Sequence, residues 1–189
     1  MTTFKMPRPV PTLTGKLVTL RAIDPARDVR DYYEMNLEPE MHFWTGNRVL
    51  ASIEEAQGEL ERFNRMEDMT MWAIVDNATG RMVGRFFVCM EKRGEELVAG
   101  EGNRVAKPFW RKGHNREARR LVFDYVFNTL RADRIETECW TQNRNSYQSI
   151  LAHGFRLIRE LPECNVKHGK AMSKSHFELT KADYERARE

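Results

Sequence analysis

The chain has 189 residues, 41% of them hydrophobic and 31% charged, with a formal net charge of +3. This length and balance fit one domain with a sizeable core and exclude a disordered chain, which needs low hydrophobicity and a large net charge. The small positive surplus excludes a polybasic nucleic-acid binder. Cys89, Cys139 and Cys164 are widely spaced and form no C-x-x-C, so neither a zinc ribbon nor a disulfide framework is expected. With no apolar leader, and no apolar run approaching a membrane span, a cytoplasmic protein is expected.

Residues 1–12 carry Pro7, Pro9 and Pro11, alternate prolines that forbid a helix and predict an extended arm. GKLVTLRAI, residues 15–23, reads as a strand. Asp24 followed by Pro25 pairs an N-cap with proline at the first helical position and predicts a helix to about Leu37. EMHFWTGNR, residues 40–48, breaks the periodicity and reads as a loop holding Phe43, Trp44 and Arg48. Ser52 with Glu55 makes a capping box, and Ile53, Ala56, Leu60 and Phe63 follow at helical spacing.

TMWAIV (70–75), MVGRFFVCM (82–90) and LVAGEGNRVA (97–106) predict an antiparallel meander, in which Gly100 and Gly102 mark a bulge or a close backbone approach. A long amphipathic helix is predicted from about His114 to Leu130, then a strand over RIETECW (134–140). Asn145 reads as the cap of a short helix from Ser146 to Ala152, closed by Gly154 at positive φ. FRLIREL (155–161) and MSKSHFEL (172–179) predict strands joined by a loop, CNVKHGKA. Residues 181–189 read as a polar tail, either a terminal helix or frayed, and residues 13–180 as the single domain. The order β-α-α-β-β-β-α-β-α-β-β predicts an α+β class. Its mixed, mostly antiparallel sheet would have about six or seven strands and about four helices.

The segment with most chemistry is FWRKGHNREARR, residues 109–120, where a strand ends in a short basic loop and a helix begins at once. The unpaired N–H groups of a helix start, the positive end of its dipole and nearby basic side chains all favour a phosphate. An ordinary helix start with a solvated basic face satisfies the same residues equally well. The loop is not G-x-x-x-x-G-K-[ST], so no P-loop is read here.

Trp110-Arg111-Lys112-Gly113-His114-Asn115-Arg116-Glu117-Ala118 resembles the acetyl-CoA loop of the GCN5-related N-acetyltransferases, usually W-G-x-G-x-[AGN]-[ST]-E-A. A second motif, Asn143-x-x-Ser146 followed by Gly154-Phe155, resembles the family's N-x-x-S-x(7)-G-F. The opening GKLVTLRAI resembles the first strand of the branch that includes the ribosomal-protein N-terminal acetyltransferases. The resemblance spans Leu13 to Leu179 and is specific for the superfamily, not for a substrate. Arg111 stands where glycine is common, Arg116 where serine or threonine is common, and Ser173 where aspartate is frequent.

The resemblance implies the family fold, with acetyl-CoA as co-substrate and no metal; the five histidines also show no ligand spacing. It places the pyrophosphate on Arg111, Lys112, Gly113, His114, Asn115 and Arg116. The pantetheine arm would lie along Val105 and Ala106 in a V opened against the RIETECW strand. It further implies that a neutral amine attacks a thioester. Deprotonating lysine at pH 7 costs about 4.6 kcal/mol, against about 1.2 for an α-amine of pKa 7.7–8.0, so an α-amine asks less of a base. Ser146 matches the donor to the leaving thiolate, although a plain helix-start serine would look the same. Asn143 matches the residue that orients the arm or a water. For the base, Glu101 is read as facing the cleft, with Glu163 or a water chain as alternatives. Phe43, Trp44 and Arg48 match acceptor-site positions, and a hydrophobic staple would use the aromatics equally. The expectation is a cytoplasmic N-acetyltransferase of a primary amine, a homodimer as is common in the branch. A CoA-binding module without turnover, or a succinyl-type acyltransferase, stands as the alternative.

Overall fold

The computed structural model describes residues 4–45, 48–167 and 169–187. Strands β1 (Leu13–Thr14) and β2 (Val18–Ala22) lead into α1 (Pro25–Asn36), α2 (Pro39–Thr45) and α3 (Ile53–Arg65). Next come β3 (Met69–Asp76), β4 (Met82–Arg93) and β5 (Glu96–Val105), a 3-10 turn at Lys107–Phe109, and α4 (His114–Asn128). The chain ends with β6 (Arg134–Trp140), α5 (Arg144–Leu151), β7 (Arg156–Lys167), β8 (Lys170–Thr180) and α6 (Lys181–Arg186). One sheet holds all eight strands in the order β1-β2-β3-β4-β5-β6-β8-β7. Among the described residues only the β5–β6 pair is parallel, and it is joined by α4 as a crossover of this kind requires. The class is therefore α+β, as expected, with one more strand and two more helices than predicted.

Two apolar layers sandwich the sheet. Against one face, Ala118, Val122, Phe123, Val126 and Phe127 of α4 pack on Val18, Leu20, Trp72, Phe86 and Ile135. Against the other, Val29, Tyr32 and Met35 of α1 and Ala56, Leu60 and Phe63 of α3 pack on Met71, Ala73 and Val75. The cap of α1 is as read: Asp24 accepts from Ala26 N at 3.1 Å and from Arg27 N at 3.3 Å. Ser52 Oγ accepts from Glu55 N at 3.2 Å and starts α3.

Two local expectations are corrected, at 40–48 and 164–167, and two that left alternatives are decided, at Gly100/Gly102 and in the tail. The loop 40–48 contains α2; its described part is helical through Thr45, and Gly46 and Asn47 lie outside the described residues. Seven residues are too few for periodicity to signal a helix, and tertiary bonds hold it instead. The predicted loop at 164–167 continues β7, whose register slips between Leu161 and Asn165 around Pro162. This is an edge strand, the place where a proline is tolerated. Gly100 and Gly102 make no bulge, since the β4–β5 register runs unbroken. They allow close approach instead, because a Cβ on Gly102 would collide with the Phe87 ring. The tail takes the helical alternative as α6, with Tyr184 buried edge-on to Phe123 and stacked on Phe127. The proline arm also packs on its own chain: Met6 is buried, and Trp72 Nε1 donates to Pro11 O at 2.8 Å.

Glu117 couples the first turn of α4 to the β1–β2 turn. Its carboxylate accepts from the amides of Lys16 at 3.0 Å, Leu17 at 2.6 Å and Val18 at 2.8 Å. Partial burial alone would raise its pKa, but the three amide bonds outweigh it and hold the carboxyl below its ordinary range. A depressed folded pKa means that this stability is present above the ordinary carboxyl range and is lost as pH falls through the depressed value. Glu117→Gln should therefore lower stability by about 2 kcal/mol at neutral pH, and by progressively less in acid. Urea melts at pH 7 and at pH 3 check this; equal losses at both would refute the charge-assisted anchor.

Candidate active site

The parallel ladder between β5 and β6 holds only Val98–Arg134, Ala99–Ile135 and Gly100–Glu136. Beyond these pairs β5 follows β4 as far as Val105, while β6 follows β8 as far as Trp140. The two strands part in a V, with Thr137 Oγ1 donating to Glu101 O at 3.4 Å near its base. A cavity of about 370 Å³ fills the opening. Gly102, Asn103 and Arg104 line it from β5, and Glu138, Cys139 and Trp140 from β6. Asn143 and Ser146 at the start of α5, Arg85 and Phe87 of β4, Trp44 and Thr45 of α2, and Lys174 of β8 complete the lining.

Of the two expected catalytic positions at α5, both lie in this lining. Asn143, not Asn145, is the N-cap of α5: its Oδ1 accepts from Ser146 N at 3.2 Å. Asn145 sits in the first turn and accepts from Arg111 Nη2 at 3.3 Å. Ser146 is hydrogen-bonded to Cys139, whose thiol burial pushes up to about 11 against that bond. Cys139 therefore remains a neutral thiol at physiological pH.

Glu101 does not face the cleft as expected. Its side chain is fully buried, taking Arg119 Nη2 at 2.9 Å and Asn103 Nδ2 at 3.1 Å. Arg119 also reaches Ser149 Oγ at 3.3 Å, so the pair ties β5, α4 and α5 together. Glu163 is exposed on β7 and does not line the cavity. The carboxylate that does is Glu138, ion-paired with Lys174 and 3.6 Å from His176 Nδ1.

At the expected phosphate loop, Arg111, Lys112 and Arg116 are exposed. Arg111 adopts φ 58° and Gly113 φ 88°, a left-handed conformation that glycine takes without strain. Gly113 is the N-cap of α4 and no side chain caps this helix start, because Glu117 is turned to the β1–β2 turn. A strong helix with uncapped first-turn amides beside three basic side chains is chemically fit for a pyrophosphate. The His114 imidazole is turned away from that surface: it is buried, with Nε2 2.9 Å from Asp76 Oδ1, so His114 can contribute only its backbone amide there. Asn115 is half-buried in the same first turn. Val105 and Ala106 are engaged within the chain. Trp110 Nε1 donates to Val105 O at 2.6 Å, and Ala106 donates to Val83 O at 2.7 Å and accepts from Phe109 N at 2.9 Å. The β5 edge that lines the cleft is Gly102–Arg104, one step below the positions read from sequence.

The three acceptor-side residues separate. Trp44 lines the cleft, and Phe43 packs edge-on against it at 4.6 Å. The carbonyls at the end of α2 are held from across the V. Trp140 Nε1 donates to Trp44 O at 2.7 Å, and Lys167 Nζ to Phe43 O at 2.8 Å and Trp44 O at 3.1 Å. Arg48 instead lines an adjoining cavity of about 630 Å³ with Leu50, Glu55, Glu59, Arg62, Phe63 and Arg85. Arg85 is common to both cavities. Sequence reasoning missed Arg85, Phe87, Arg104 and Glu138, because period-2 alternation tells which residues share a face but not which face is the cleft. His168 lies outside the described residues. Among the described residues no group of three His, Cys, Asp or Glu could hold a metal, and no helix is long and apolar enough to cross a membrane.

The sequence pattern identifies the family: residues 18–156 match the acetyltransferase (GNAT) domain family. The chain belongs to that family and is an acyl-CoA-dependent N-acetyltransferase. No curated protein sequence matches it. Among solved structures, a GCN5-related N-acetyltransferase from Brucella melitensis superposes with a TM-score of 0.83 at 20% identity, over 97% of this chain and 85% of that one. Mycobacterium smegmatis RimJ, solved with CoA-disulfide, gives 0.78 at 21% identity over 92% and 89%. The ribosomal-protein-S5-alanine acetyltransferase of Vibrio fischeri gives 0.76 at 17% identity over 92% and 98%.

Proposed function

We propose that this enzyme takes acetyl-CoA across the V and transfers its acetyl group to a primary amine held on the α1–α3 side of the sheet. One observation carries the reading: the uncapped start of α4 and the β5–β6 opening lie on one continuous stretch of chain, joined by residues 101–116. Bound acetyl-CoA supplies an acyl group activated as a thioester. Arg111, Lys112 and Arg116, with the first-turn amides of α4, would hold its phosphates, and the Gly102–Arg104 edge would pair with its amides as an added strand does. Asn143 orients the start of α5. The Ser146 hydroxyl, in the cleft lining, would hydrogen-bond the departing thiolate and pass on to it the proton that the amine releases through Glu138 and water, so that serine ends as a hydroxyl.

Glu138, the carboxylate in the lining, receives the proton from the amine directly or through water. Glu101 is a positioning residue in this reading: its bond to Arg119 fixes the spacing of β5 and α5. The RimJ and S5-alanine acetyltransferase likenesses support an α-amine acceptor, which needs the least help in losing its proton.

Calorimetric titration with acetyl-CoA, with ADP and desulfo-CoA as controls, should give micromolar binding. An amine panel followed by thiol release should then give turnover. No binding at millimolar acetyl-CoA would overturn the assignment of the phosphate site to α4.

A further inference from the structure

The charges among the residues that line the cleft and the adjoining cavity cancel in pairs, except at two arginines. Arg48 pairs with Glu55, Arg62 with Glu59 and Lys174 with Glu138. Arg85 and Arg104 remain: among the described residues no carboxylate lies within 4 Å of either guanidinium. Arg104 is only 7% exposed. Its Nη1 donates at 2.6 Å to the neutral Oδ1 of Asn36, itself anchored by donating to Tyr32 O at 2.7 Å. The Nε atoms of both arginines are buried without an acceptor. Arg85 Nη1 faces only the Met71 thioether, at 4.0 Å, and its guanidinium lies over Phe63. The acid nearest in effect, Glu59, is occupied by the Tyr32 hydroxyl at 2.5 Å and by Arg62 at 3.4 Å.

Such an arrangement is poor for stability alone. Burial, and then the like charge of Arg85, push Arg104 down to about 10, which still leaves it charged at neutral pH. Two neighbouring cations with unused buried N–H groups are matched by an anion that the fold does not supply. The planar fork of a guanidinium suits a carboxylate in two-point contact. We propose that Arg85 and Arg104 form a carboxylate-binding subsite, so that the preferred acceptor is an amine that itself carries a carboxylate. This rests on the acetyltransferase reading above. The carboxylate belongs either to a free amino acid or to an acidic side chain beside a peptide N-terminus.

The test uses the full chain and matched acceptors: alanine against alaninamide, and C-amidated Asp-Ala-Ala against Asn-Ala-Ala, with spermidine as a cationic control. The carboxylate member of at least one pair should have a kcat/KM at least tenfold higher, and the responding pair tells amino acid from peptide. Arg85→Gln should collapse that ratio toward one, mainly by raising KM for the carboxylate member, and Arg85→Lys should restore part of it. A second arm needs no turnover: the CoA-saturated protein is titrated with the acetylated products of each pair. The carboxylate product should bind at least tenfold more tightly in the wild type and not in Arg85→Gln. Equal use and equal binding within both pairs, preference for spermidine, or a preference that survives Arg85→Gln would overturn the proposal. So would a variant effect that follows succinyl-CoA over acetyl-CoA, which places the anion on the donor. Turnover of neutral amines with no carboxylate preference sinks this inference alone, whereas failure to bind acetyl-CoA sinks the enzyme's site assignment.

Discussion

Gly113→Asp should weaken acetyl-CoA binding by about 100-fold, or about 2.7 kcal/mol. Gly113 is the N-cap of α4 at φ 88°, with no side chain over the first-turn amides. Aspartate would bring a carboxylate to the positive end of the helix, where it competes with the phosphates for the same N–H groups and repels them. Two effects must be separated. Any side chain at this φ is strained, and a Cβ would lie 3.1 Å from Leu17 Cδ1. Gly113→Ala carries that strain, about 1 kcal/mol, without the charge. Calorimetry on both variants isolates the electrostatic part. If alanine and aspartate weaken binding equally, the anion site is elsewhere; wild-type affinity in both would remove this loop from cofactor binding. A melting curve for each shows that the fold is retained.

Ser146→Ala should lower kcat about 100-fold while leaving the dissociation constant of acetyl-CoA within about twofold. The separation follows from the geometry. Asn143 caps α5 through the backbone amide of Ser146, which alanine keeps, so the helix start survives the substitution. The phosphate loop lies on α4, outside this contact. What alanine removes is a hydroxyl in the cleft lining, bonded to a thiol that burial keeps protonated. Single-turnover measurements at saturating acetyl-CoA give the rate of the chemical step directly. An unchanged rate would remove Ser146 as the proton donor, and a matched loss of affinity would mean that its part is structural.

The order of elements was largely legible because their signals are local. Asp24 before Pro25, Ser52 before Glu55 and Gly113 before an apolar helical face announce themselves within a few residues. Failures came where the deciding forces act across the chain. The end of α2 is held by Trp140 and Lys167 from nearly one hundred or more residues away. The continuation of β7 past Pro162 depends on pairing with β8. Tyr184 makes α6 part of the core by inserting between aromatic rings of α4, which a polar nine-residue tail does not disclose.

At the site, the amino-acid sequence by itself determined the family, the basic loop before α4 and the Asn143–Ser146 pair, since spacing along one helix start preserves their proximity. Alternation along β5 puts Glu101 and Arg104 on opposite faces, but alternation is symmetric and cannot say which side meets a cleft, so Arg104 was missed. The tertiary structure decided that. It turned Glu101 inward to Arg119 and left Arg104 beside Arg85 without an acid, because α4 and α1 pack on opposite faces of the sheet. It also opened the V, because β5 and β6 each pair with a different neighbour once their short parallel ladder ends.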